Sequence, residues 1–167
     1  TGATVSTSHR DLIQCEAGWG QGGTFKVHHN FFIDRSAGAA GACIESEHLR
    51  GTWEIYNNVF KSNSTGANNT GFFALLSLTG EGNTYANSIK VYNNTFYAST
   101  DQVRMMSFNG WDALDFRNNI VYSVPSDWWC VTTDGWTQTH SMTFDYNQYY
   151  NTGSIFMYGE TVIGSGE

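Results

Sequence analysis

Five times along the chain a short alternating run ends in an Asn that is followed by a second, mostly apolar run. The runs cover 25–32, 53–60, 89–96, 114–121 and 142–149, with Asn30, Asn58, Asn94, Asn119 and Asn147 at the same place in each. The steps between these Asn residues are 28, 36, 25 and 28 residues. Self-similarity at a period of roughly 20–50 residues marks a repeat architecture, in which one unit cannot bury its apolar side alone and must be covered by its neighbours.

Within each run the residues alternate. Val27, Ile55, Val91, Phe116 and Phe144 share one parity, and Phe25, Trp53, Ile89, Leu114 and Met142 lie two places earlier. A strand turns successive side chains to opposite faces, so these ten positions are expected inside. The intervening Lys26/His28, Glu54/Tyr56, Lys90/Tyr92, Asp115/Arg117 and Thr143/Asp145 are expected outside. Beyond the Asn, Phe32, Phe60, Phe96, Val121 and Tyr149 point inward again. A third stretch recurs at 12–16, 43–47, 75–79, 105–109 and 130–134, aligning Ile13, Ile44, Leu76, Met106 and Val131 as one inward column. Three short strands per repeat without a helical period predict an all-β fold. Its expected form is a right-handed single-stranded parallel β-helix of five to six coils, the hand following from the rule for parallel crossovers. The Asn residues suit a turn because Asn tolerates left-handed backbone and bonds its own turn. Coils stacked about 4.8 Å apart would also let successive amides bond one another as a ladder. The reading is one domain, 1–167, which could equally be a portion of a longer β-helix.

Composition fits this dress: 16% aromatic residues, 18 Gly, one Pro and only 14% charged residues. A net charge of −7, with eight basic residues spread singly, argues against nucleic acid, which needs a surplus of Lys and Arg. No stretch approaches the roughly 18 apolar residues of a membrane span. Cys15, Cys43 and Cys130 cannot all pair and show no metal-ligand spacing, so they read as small apolar fillers. An extracellular or cell-surface location is expected, with no signal-peptide pattern in this sequence.

Units such as Ile89-Lys90-Val91-Tyr92-Asn93-Asn94-Thr95-Phe96 resemble the repeats of the right-handed parallel β-helix, pectate-lyase-like superfamily, over about His9 to Tyr150. By that resemblance, strands such as 12–16 and 43–47 form the first sheet, and polysaccharide lies along its outer side. The lone Thr133-Asp134-Gly135 lacks the partner motifs of the superfamily's polygalacturonases, and the paired Asp and Arg motifs of its lyases are missing. The stretch His9-Arg10-Asp11-Leu12-Ile13-Gln14 resembles a His-x-Asp-x-x-Gln strand of some members, which makes His9, Asp11 and Gln14 substrate-binding candidates.

On that first sheet the outward parity gives Gln14 and Glu16, Glu45 and Glu47, Ser77 and Thr79, Ser107 and Asn109, Thr132 and Asp134. Glu45 and Glu47 stand two apart on one strand, roughly 6.5–7 Å between Cα atoms, and Glu16 is expected to stack against Glu47. Such separations overlap the roughly 5–9.5 Å of carboxylate pairs in glycoside hydrolysis, and neighbouring like charges raise one pKa as a general acid requires. His48 beside Glu47 offers a base and Arg50 a cation for a substrate carboxylate. The catalytic candidates are therefore Glu45, Glu47, Glu16 and His48. Trp19, Trp111 and Trp136 follow the first strand in their repeats and suit stacking on sugar rings. With Arg50, Asn109 and Asp134 they complete the substrate-binding set. No cofactor is required; the acids would also suit Ca²⁺.

Two functions follow. One is a carbohydrate-active hydrolase or lyase working on an extracellular polysaccharide along the first sheet. The alternative is a non-catalytic glycan-binding or self-assembling spike or filament subunit, because an open solenoid edge invites β-edge stacking with another subunit or domain.

Overall fold

Strand pairing follows the repeat. The computed structural model describes residues 13–16, 23–34, 41–49, 51–62, 73–80, 88–98, 104–109, 112–123, 129–133, 141–150, 154–158 and 161–165. In chain order the strands are β1 (Ile13–Glu16), β2 (Gly23–His28), β3 (Phe31–Asp34), β4 (Gly41–Leu49), β5 (Gly51–Tyr56), β6 (Val59–Ser62), β7 (Phe73–Gly80), β8 (Ser88–Tyr92) and β9 (Thr95–Ala98). They continue as β10 (Arg104–Asn109), β11 (Ala113–Arg117), β12 (Ile120–Ser123), β13 (Trp129–Thr133), β14 (Ser141–Asp145), β15 (Gln148–Tyr150), β16 (Ser154–Tyr158) and β17 (Thr161–Ser165).

Each strand up to β13 pairs with the strand three later. The first sheet runs β1-β4-β7-β10-β13-β16-β17, the second β14-β11-β8-β5-β2 and the third β15-β12-β9-β6-β3. Every pairing is parallel except β16 with β17, which is antiparallel. The protein is thus all-β, with two wholly parallel sheets and a third that ends in one antiparallel edge strand.

Register matches the sequence alignment. Ile13, Ile44, Leu76, Met106 and Val131 are successive partners across the first sheet. Phe25, Trp53, Ile89, Leu114 and Met142 form one row of the second sheet, and Val27, Ile55, Val91, Phe116 and Phe144 the other. All three sheets contribute to one apolar cluster, in which Ile44, Ile55, Phe60, Val91, Phe96, Met106, Phe116 and Val121 are wholly buried. Phe32, Phe60 and Phe96 stack at 4.9 Å, and Phe96 meets Phe116 of the second sheet at 6.2 Å. Burial fades toward the edges. Phe25, on edge strand β2, is 40% exposed although it stacks on Trp53.

The amide ladder is present. Asn30, Asn58, Asn94 and Asn119 each donate a backbone N–H (2.9–3.0 Å) and an Nδ2–H (3.1 Å) to Oδ1 of the next ladder Asn. Nδ2 of Asn58, Asn94, Asn119 and Asn147 also donates to Val27, Ile55, Val91 and Phe116 carbonyls of the neighbouring repeat. One expectation changes. The left-handed conformation falls on the preceding residue: His29, Asn57, Asn93, Asn118 and Tyr146 have φ of 53–58°. The two jobs assigned to one Asn are divided between neighbours, because an amide held in the buried ladder is fixed by bonds to the next repeat while the exposed residue before it makes the bend. At Gly51 (φ 94°) a Cβ would come within 2.2 Å of the Gly23 carbonyl oxygen, so the close approach of β2 and β5 there requires glycine at 51.

Candidate functional site

The first-sheet acids are brought together as adjacent backbone positions. Parallel pairing of β1 with β4 sets Gln14 opposite Glu45 and Glu16 opposite Glu47. Partners in neighbouring strands are about 4.8 Å apart, and Glu45 lies two residues from Glu47 on the same strand. The row through Gln14 and Glu45 continues across Ser77, Ser107 and Thr132, as the sequence predicts. Asn109 lies opposite Thr79.

Two local features bear on this face. The pairing of β4 with β7 shifts between Ser46 and Leu49, so β4 carries one extra residue there. His48 falls inside that irregularity. Bulges of this kind bend a strand and re-aim its side chains, and they gather next to active sites. Cys43 is wholly buried although it shares the parity of Glu45 and Glu47. The side of the sheet opposite Ile44 is therefore covered at its Cys43 end. His9, Asp11, Trp19, Arg50, Trp111, Asp134 and Trp136 lie outside the described residues.

The second sheet carries an ordered polar face whose columns the sequence predicted to be outward but whose contacts it did not foresee. Lys26, Glu54, Lys90, Asp115 and Thr143 form one row. Glu54 is bracketed by two ammonium groups, Lys26 at 3.2 Å and Lys90 at 3.7 Å. The Glu54 hydrogen bond and charge hold the Lys26 pKa above its ordinary 10.5. Burial, then the Glu54 charge, pushes the Tyr92 phenol above 10.0. Arg117 pairs with Asp115 through both Nε and Nη2. In the neighbouring row His28 stacks on Tyr56 at 4.8 Å and Tyr56 on Tyr92 at 5.0 Å. At the turn beyond, His28 Nδ1 and His29 Nδ1 are 2.8 Å apart, and Asn57 Nδ2 lies 3.4 Å from His29 Nε2. The signal for this cluster was the His-His pair, which departs from the Tyr-Asn of the next two repeats.

The third sheet differs again. Its outer rows hold Phe31 (61% exposed), Val59, Thr95, Ile120 and Gln148, then Ile33, Lys61, Tyr97, Tyr122 and Tyr150. Tyr97 stacks on Tyr122, and the Lys61 ammonium sits 5.5 Å from the centre of the Tyr97 ring. Charge is thus concentrated on the second sheet and nearly missing from these two rows of the third.

Among the described residues no three His, Cys, Asp or Glu side chains converge as a metal site. No helix among them is long and apolar enough to cross a membrane. No protein-family model, curated protein or solved structure matches the chain.

Proposed function

We propose that the three sheets are the faces of one right-handed parallel β-helix spanning the chain, and that it binds and cleaves an extracellular polysaccharide along the outside of the first sheet. The observation that carries the proposal is the register of β1 on β4, with Glu16 opposite Glu47 and Glu45 two residues away. Backbone positions at these spacings would let three carboxylates form an acid–base group of the dimensions used in glycoside cleavage. The bulge at Ser46–Leu49 supports the reading, because it places an irregular strand beside Glu47 and brings His48 into the same stretch. Gln14, Asn109 and Asp134, His9, Asp11 and Arg50, and Trp19, Trp111 and Trp136 are proposed to line the path of the glycan. Ca²⁺ is the cation that would join these oxygen ligands to a uronic polymer.

The test is turnover on a panel of neutral and uronic polysaccharides, reading new reducing ends for hydrolysis and unsaturated uronide for elimination. Glu45→Gln and Glu47→Gln are expected to lower the rate by about 10²-fold or more while retaining binding. A panel neither bound nor cleaved rejects the carbohydrate reading, and cleavage unchanged in both variants rejects the site.

A second reading has its own observation. Among the described residues the second and third sheets end in parallel edge strands, β2 and β14 and β3 and β15. The ladder ends there too: among the described residues nothing donates to Asn30 Oδ1, while Asn147 Oδ1 is already taken by Asn119. Such edges suit head-to-tail assembly into a filament. Concentration-dependent growth seen by light scattering and electron microscopy is the expected result. Discrete monomers at high concentration would remove this reading.

A further inference from the structure

We propose that His28 and His29 form a binding site for a divalent transition-metal ion of square-planar preference, copper(II) or nickel(II). The two imidazoles converge through Nδ1 atoms 2.8 Å apart at the exposed turn between β2 and β3. Two nitrogens in cis positions of a square-planar ion, each at about 2.0 Å, are themselves about 2.8–2.9 Å apart. The same 2.8 Å is the length of a hydrogen bond between the rings, so it shows only that the nitrogens can reach one ion; the preference for copper(II) and nickel(II) rests on the affinity order of imidazole sites for divalent ions. In the metal-free protein a hydrogen bond joins the two Nδ1 atoms; the ion would take its place, with water completing the coordination.

Three neighbouring features fit this role. The His28 ring is braced by stacking on Tyr56, 14° from parallel, which limits its rotation. The far nitrogen of His29 lies 3.4 Å from the Asn57 amide. Turning that amide by 180° presents Oδ1 to Nε2–H, the kind of carbonyl partner that fixes the tautomer of a ligating imidazole. Third, His29 occupies a left-handed position (φ 58°) that Asn57, Asn93 and Asn118 fill in the next repeats. Non-Gly residues in this region are enriched in Asn, Asp and His, so the turn accepts His29 and holds its ring at the bend. Lys26, on the same strand face as His28, is paired with Glu54 at 3.2 Å, which lessens its repulsion of an incoming ion.

The repeat itself supplies controls. His28→Tyr and His29→Asn copy what the second and third repeats carry at the same places, so both variants keep the turn, which circular dichroism and thermal midpoints verify. Copper(II) and nickel(II) are titrated into the intact protein against a chromophoric chelator, with NMR of the histidine rings alongside. One equivalent should bind, each variant should bind about tenfold or more weakly, and copper(II) should broaden the His28 and His29 signals first. Equal affinity in the variants overturns the proposal. So does broadening spread evenly over His9, His48 and His140, or the lack of a saturable first equivalent.

Discussion

At the residue scale the chain solves each turn with two neighbours rather than one. The exposed residue takes the left-handed bend and the buried Asn behind it ties one repeat to the next. Asn58, Asn94 and Asn119 are all buried. Asn94→Ala would orphan the Asn58 backbone N–H and the Ile55 carbonyl, among other groups. At about 1–3 kcal/mol per buried unpaired group, the expected loss is about 3 kcal/mol, read from the urea midpoint. Asn147→Ala, half-buried at the edge of the stack, should cost about a third of that; equal costs would mean that burial does not set the ladder's strength. The bend predicts the opposite sign. Tyr146 holds φ 53° and is 77% exposed, so Tyr146→Asn should stabilise by about 0.5–1 kcal/mol. The division of labour was not legible in the sequence because the Asn-Asn pairs at 57–58, 93–94 and 118–119 offer two identical candidates for both jobs. The hydrogen bonds and the backbone angles separate them.

At the level of elements, the three sheets differ in what they show to water. The inner rows were legible because alternation with period two survives any loop length, and Ile13 through Val131 align from the sequence as they pair in the structure. The catalytic candidates Glu16 and Glu47 were paired from the sequence by the same logic. The bulge at Ser46–Leu49 was not, since an extra strand residue leaves no mark in the pattern, whereas the burial of Cys43 agrees with its reading as an apolar filler. The convergence of His28 and His29 was equally hidden, because side-chain direction at a turn is set by φ rather than by spacing. The Lys26–Glu54–Lys90 row predicts a pH response. Lys26 and Tyr92 both hold their protons more tightly folded than unfolded. Stability is therefore intact below about pH 10 and is lost as pH rises through the folded pKa values. Glu54→Gln removes the first cause for Lys26 and the second for Tyr92. Thermal midpoints measured from pH 8 to 11 should fall less steeply in that variant; parallel curves would show that Glu54 is not the controlling charge.

For the molecule as a whole, support comes from both sides in the middle and from one side at the edges. Ile89, Val91 and Phe96 are wholly buried, whereas Phe25 at one edge and Phe144 at the other are partly open. Native-state hydrogen exchange should therefore be slowest in β8 and β9 and progressively faster toward β2 and β15. Phe96→Ala, at the crossing of the second and third sheets, should cost about 3–5 kcal/mol, well above Phe32→Ala; a uniform exchange profile or equal costs would contradict one graded stack. The ladder has one more consequence, for how such a chain can change over time. Its rungs keep the same lengths whether 25, 28 or 36 residues separate them. The spacing of the interior is thus insulated from the length of the connections. Insertions between β6 and β7, or between β7 and β8, can lengthen or shorten, and be recruited to new surfaces, while the buried amides go on counting repeats without registering the difference.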